Sequence, residues 1–136
     1  MSWHRSTVLG SIVTLCLAAG MTSVSAPAEA GCTVFQHRDF GGSSFHLAPG
    51  DSLQMAGEPC GRTQSHGRPR GRIHYHPSWN DQISSFKVTA DCTITLWQHA
   101  SGCGGSGARF VRTNRLVRYI GDNWNDQASH VECSCR

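Results

Sequence analysis

Helical periodicity is the first thing missing from this 136-residue chain: no segment sustains a 3.6-residue apolar repeat. Charge is scarce, with Asp, Glu, Lys and Arg making up 15% of residues, and lysine is nearly absent, since Lys87 is the single example. No HExxH, GxSxG or P-loop pattern occurs, so metalloprotease, α/β-hydrolase and nucleotide-phosphate chemistry have no foothold and no enzyme is expected. No CxxC pair occurs either, which leaves the zinc reading of the cysteines without its usual spacing. Long apolar runs are confined to the N-terminus. Residues 8–21 have the length of a signal-peptide core, His4 and Arg5 precede them, and Ala28-Glu29-Ala30 offers an A-x-A cleavage site before Gly31. The run is short for a bilayer span, and Leu15 is bulky where a lipoprotein signal at Cys16 would need a small residue. Residues 1–30 are therefore expected to be a cleaved signal, residues 31–136 one exported domain, and a monomer without a transmembrane segment.

What is present is glycine, serine and cysteine. Setting Cys16 aside leaves Cys32, Cys60, Cys92, Cys103, Cys133 and Cys135, an even number that in an exported chain reads as disulfides. Cys133 and Cys135 stand two apart on a predicted strand, about 7 Å between Cα atoms, too far to bridge easily. Twelve of the fifteen connectivities then stay open. After residue 30 there are eleven cations, ten of them Arg, against eight carboxylates. A net +3 is a mild bias that speaks to solubility.

Short β-rich runs between turn residues predict an all-β domain. The clearest are 33–35, 43–47, 84–88, 93–97, 109–112, 116–120 and 129–133. They belong to a duplication. "VFQHRDFGGSSF" from Val34 matches "LWQHASGCGGSGARF" from Leu96, "SLQMAG" from Ser52 matches "LVRYIG" from Leu116, and "WNDQISS" from Trp79 matches "WNDQASH" from Trp124. Phe35 to Gly57 spans 22 residues and Trp97 to Gly121 spans 24, but Gly57 to Trp79 spans 22 where Gly121 to Trp124 spans 3. The first motif, residues 32–90, thus carries an insertion over 58–76 that the second, residues 92–135, lacks. Two copies of four strands predict two Greek keys packed face to face.

Phe35-x4-Phe40-x-Gly42 resembles the Greek-key signature of the βγ-crystallins, in which a glycine adopts φ > 0 beneath an aromatic ring. The second copy keeps Trp97 but has Gly102 in place of the second aromatic, with Gly104 at the expected glycine position. Its hairpin is expected to be looser, or to be held by a disulfide through Cys103. The resemblance implies a disulfide-stapled βγ-crystallin-like sandwich and extends to the WND segments, which are similar to that family's calcium motif.

Asn80, Asp81 and Ser84, and again Asn125, Asp126 and Ser129, supply amide, carboxylate and hydroxyl oxygens, the donors a hard cation takes. The alternative is that they only make side-chain-to-backbone turns. By the resemblance, each site draws on both copies. Carbonyls of Gln82 and Gln127 would be ligands, and carbonyls near His37 and His99 would complete the shells. Extracellular sites of this kind bind at ~10⁻⁴ to 10⁻³ M. His130 departs from the motif, which wants serine there, and this puts neighbouring packing in question.

The insertion holds Arg62, His66, Arg68, Arg70, Arg72, His74 and His76 against Glu58 alone. It reads either as a contact loop for an acidic partner or as a solvated loop fixed only by Cys60, and His74-x-His76 offers both imidazoles on one strand face to zinc or copper. Nucleic acid is not the expected partner. The function expected is calcium binding for fold stability or partner docking. The alternatives are a secreted peptidase inhibitor directed at an extracellular protease and a killer-toxin-like antimicrobial, since both resemble this fold.

Overall fold

The computed structural model describes residues 29–60, 71–89, 91–113 and 116–136. Residues 1–28 of the expected signal and the insertion residues Arg62, His66, Arg68 and Arg70 lie outside the described residues. Among the described residues nine strands run β1 (Cys32–Phe35), β2 (Ser44–Leu47), β3 (Ser52–Gln54), β4 (Ile73–Tyr75), β5 (Ser85–Val88), β6 (Cys92–Ser101), β7 (Gly104–Thr113), β8 (Leu116–Val117) and β9 (His130–Cys135). They form two sheets, ordered β2-β1-β5-β8 and β4-β3-β9-β6-β7.

Each copy of the duplication lends its third strand to the other's sheet. β3 leaves its own hairpin to pair with β9, and β8 pairs with β5. In the first copy the handover is local chemistry. Ala48-Pro49-Gly50-Asp51 is a turn closed by Asp51 N–H to the Ala48 carbonyl at 3.0 Å, with Gly50 at φ 87°. Proline sets the first central position, and glycine takes the positive φ of the second.

Alternation then builds the core. β1 buries Cys32 and Val34, and β6 buries Cys92, Ile94 and Leu96 while Thr93, Thr95 and Trp97 face out. Leu47, Leu53, Ile83, Phe86 and Val131 complete a layer fully removed from solvent. Each such side chain contributes about 1.5–3 kcal/mol relative to exposure.

The cysteines pair Cys32–Cys133, Cys60–Cys103 and Cys92–Cys135. The first joins β1 to β9 and so ties one sheet to the other. The second pins the insertion to the tip of the β6–β7 hairpin, and the third spans directly opposed residues of β6 and β9. Cys133 and Cys135 are not bridged to each other.

Four expectations are corrected. The strand over 116–120 shortens to Leu116–Val117, and β6 and β7 extend into a long hairpin bent at a bulge between Trp97 and His99. β3 and β4 carried too little periodicity to be foreseen. The insertion is not a loop held only by Cys60: Ile73–Tyr75 adds a parallel edge strand to β3. Finally, Gly104 is not the second copy's covered glycine. A Cβ on Gly105 would lie 2.0 Å from Trp97 Cγ, so the Trp97 ring sits against that backbone, while the positive-φ glycines of the hairpin are Gly102 and Gly107.

Candidate metal centre

The two WND segments adopt one conformation twice. In the first, Pro77 opens a 3-10 turn over Pro77–Trp79, where its fixed φ and missing N–H cost nothing, and Gln82 N–H closes on the Trp79 carbonyl. In the second, Gln127 N–H closes on the Trp124 carbonyl. Asp81 has φ 55° and Asp126 φ 56°, left-handed values that aspartate tolerates because its short side chain bonds locally. That local bond is also duplicated: Asn80 Nδ2 donates to Asp81 Oδ2 and Asn125 Nδ2 to Asp126 Oδ2, both at 2.7 Å.

The segments are bonded to each other across the pseudo-twofold. Asp81 N–H donates to the Ala128 carbonyl at 3.2 Å, and Asp126 N–H to the Ile83 carbonyl at 3.3 Å. Asp81 is thereby set beside Ser129, and Asp126 beside Ser84. The serines are placed by the hairpins, because Ser84 N–H donates to the Phe35 carbonyl and Ser129 N–H to the Trp97 carbonyl. Both serines are buried, while both aspartates and glutamines are exposed. Ser84 Oγ donates its hydrogen to the Gln36 carbonyl at 2.8 Å, which leaves its lone pairs to accept. Asn80 Oδ1 is buried without a hydrogen-bond partner. An all-oxygen donor set with one orphaned buried oxygen fits a hard cation.

The His37 and His99 side chains do different work. A Cβ on Gly42 would lie 2.6 Å from the His37 ring, and one on Gly107 would lie 2.8 Å from the His99 ring, so each imidazole covers a positive-φ glycine. Symmetry fails at the next position. Ser85 Oγ donates to the His37 carbonyl and accepts from Phe40 N–H, closing the first hairpin. Its counterpart is His130, fully buried with neither ring nitrogen hydrogen-bonded.

The described part of the insertion is structural in character. His74 Nε2 lies 2.9 Å from Asp51 Oδ2, and Asp51 Oδ1 accepts from Arg72 N–H at 2.7 Å. Tyr75 Oη donates to the Gly57 carbonyl. The His74 and His76 rings both pack on Phe45, at 5.2 and 5.0 Å between centroids. His74 is thus engaged by Asp51 and by the Phe45 ring. Asp51 was invisible to motif reasoning, because its partner lies 23 residues away across the insertion. Elsewhere, the Asp122 carboxylate accepts from the Tyr119 hydroxyl and pushes that phenol's pKa up from 10.0.

Two sheets that exchange third strands, with paired loops crossing at one end, match a known architecture. A βγ-crystallin domain from Clostridium beijerinckii superposes with a TM-score of 0.53 at 17% identity, covering 76% of this chain and 97% of that one. A βγ-crystallin domain from Flavobacterium johnsoniae gives 0.53 at 21%, covering 77% and 94%. The N-terminal domain of Protein S gives 0.52 at 20%, covering 78% and 97%. The chain has the βγ-crystallin fold. No family model matches the sequence, and no curated protein matches it. The βγ-crystallin-like sandwich expected from the resemblance of Phe35-x4-Phe40-x-Gly42 and the WND segments is thus borne out. No helix among the described residues is long and apolar enough to cross a membrane.

Proposed function

We propose that this is an exported, non-enzymatic βγ-crystallin-type domain that binds two calcium ions at the crossed WND loops, with calcium stabilising the fold or docking a partner. The observation that carries the proposal is the reciprocal pair of backbone bonds, Asp81 to Ala128 and Asp126 to Ile83, which ties each aspartate to the residue that precedes the other copy's serine. One site would take Asp126 and Ser84, the other Asp81 and Ser129. Asn80 and Asn125 stand beside the carboxylates, and the Gln82 and Gln127 carbonyls, with hairpin carbonyls near His37 and His99, are the remaining donors. A bound cation would offset the repulsion of the exposed carboxylates and the strain of two aspartates at positive φ, about 1–3 kcal/mol each. That a clostrillin double mutant of this fold, with two serines changed to histidine, is in complex with nickel supports the scaffold's tolerance of metal ions.

The test is thermal unfolding against calcium. A ligand that binds only the folded state raises the melting temperature with concentration, by about 2.7 kcal/mol of stability at a hundredfold excess over Kd. Asp81→Ala and Asp126→Ala should each reduce the response, and the double variant should abolish it. Identical melting in excess chelator and in ~10 mM calcium, a level above the weak-site range, would refute the proposal.

A further inference from the structure

On the outer face of the second sheet three polar residues stand side by side in the ladder, Gln54 opposite His130 and His130 opposite Trp97. Gln54 is 1% exposed and His130 0%. The β6–β7 hairpin closes over them, since the Gly102 carbonyl accepts from Gln54 Nε2 and Gly105 lies on the Trp97 ring. Gln54 Nε2 also faces the Ala56 and Glu58 carbonyls, so the orientation of its amide is set by three acceptors, and Oε1 is left with no partner. His130 Nδ1, His130 Nε2 and Trp97 Nε1 are likewise buried and without hydrogen bonds. These are four of the five such atoms among the described residues, gathered in one row. Buried polar groups are ordinarily satisfied, so a concentration of them marks a place where another species supplies the partner.

The geometry beside His130 indicates which species. Glu132 lies two residues on, on the same face of β9, and its Oε1 is 3.6 Å from His130 Nε2. That separation is too long for a hydrogen bond. It is close to the spacing of two ligands on one ion: with zinc–nitrogen and zinc–oxygen bonds of about 2.1 Å, tetrahedral donors sit about 3.4 Å apart. The Glu132 side chain is 45% exposed, so its carboxylate meets solvent beside a nitrogen that is itself buried. We propose that His130 Nε2 and the Glu132 carboxylate bind a borderline transition-metal dication of the zinc class, with Gln54 Oε1 across the ladder as an added oxygen donor and water completing the shell. Imidazole suits this class of metal and not calcium. The site is therefore chemically separate from the crossed loops, although Ser129 adjoins it in sequence. It sits where the duplication departs from itself, because Ser85 occupies the matching position in the first copy and is fully used in closing its hairpin.

Zinc and cobalt(II) titrations of the oxidised full-length chain, with calcium held at saturation, test the assignment. One equivalent of cobalt(II) should bind with visible d–d absorption, and the His130 imidazole resonances should shift in the zinc complex. Glu132→Gln and His130→Ser should each weaken binding tenfold or more, while His74→Ala and His76→Ala should leave it intact. Glu132→Gln changes a half-exposed side chain and keeps its shape, so it decides the matter if His130→Ser perturbs folding. Affinity unaltered by Glu132→Gln, or lost instead with His76→Ala, would overturn the proposal. An unperturbed His130 resonance at saturating zinc would overturn it equally.

Discussion

Removing the Cys32–Cys133 bridge by double alanine substitution should be the most damaging of the three possible bridge deletions. The bridge spans 101 residues, but with the other two bridges in place the path between its ends is only about 41 residues, through residues 32–60, back along 103–92 and back along 135–133. In the chain-entropy account each of the three bridges, with the other two intact, closes the same loop of about 41 residues, worth about 3.9 kcal/mol. Loop length alone does not separate them, so burial must. Cys32 and Cys133 are 0% and 2% exposed within the core, and replacing both sulfurs leaves unfilled space between β1 and β9, where this disulfide ties the two sheets together. Cys60 and Cys103 sit at the sheet's rim, where removal opens only the hairpin tip. Cys32→Ala with Cys133→Ala should cost about 4–5 kcal/mol, which is a melting-temperature fall of about 15–30 °C for a domain of this size. Cys60→Ala with Cys103→Ala should cost clearly less. Guanidinium and thermal unfolding of the two double variants, with mass spectrometry verifying the remaining bridges, measure both. A loss below about 1 kcal/mol for the inter-sheet pair, or a larger loss for the rim pair, would refute the reasoning.

Gly105→Ala should destabilise the domain by about 1–3 kcal/mol, because the new methyl would overlap a rigid indole rather than a flexible chain end, and denaturant unfolding reads this directly. Unchanged stability would mean that the Trp97 ring does not lie on that backbone. Tyr119 should ionise above the ordinary tyrosine range, followed by tyrosinate absorbance, and Asp122→Asn should bring it down. Since the folded state holds that proton more tightly, the associated stability is complete below the unfolded pKa of 10.0 and is lost as pH rises through the folded value. A Tyr119 titration that Asp122→Asn leaves in place would show that the carboxylate is not its cause.

The duplication made most of the architecture readable. Residues 34–45 against 96–110 and the two WND segments placed the hairpins and the crossed loops, because turn chemistry and two-residue alternation are local properties of the chain. The two strands that escaped notice, Ser52–Gln54 and Ile73–Tyr75, are three residues each and owe their existence to a neighbouring strand rather than to their own pattern. Propensity in such short segments is overridden by context. The covered glycine was misplaced for a related reason. Counting from Trp97 points to Gly104, but the bulge between Trp97 and His99 shifts the register so that Gly105 meets the ring and Gly107 takes the positive φ.

By itself the sequence determined that the chain is all-β, duplicated, cross-linked through an even set of cysteines, and furnished twice with the same oxygen-bearing turn. It also ruled out a Cys133–Cys135 bridge, because alternation along a strand sets that distance without reference to the rest of the molecule. Only the tertiary structure decided which cysteines meet, that each copy's third strand crosses to the other sheet, that Asp51 holds His74, and that Gln54 and His130 are buried in one row beside Trp97. Those outcomes depend on residues 23 to 101 positions apart being brought within bonding distance. Which of them meet is set by how two sheets bury their apolar faces together, a choice that no short stretch of chain encodes alone.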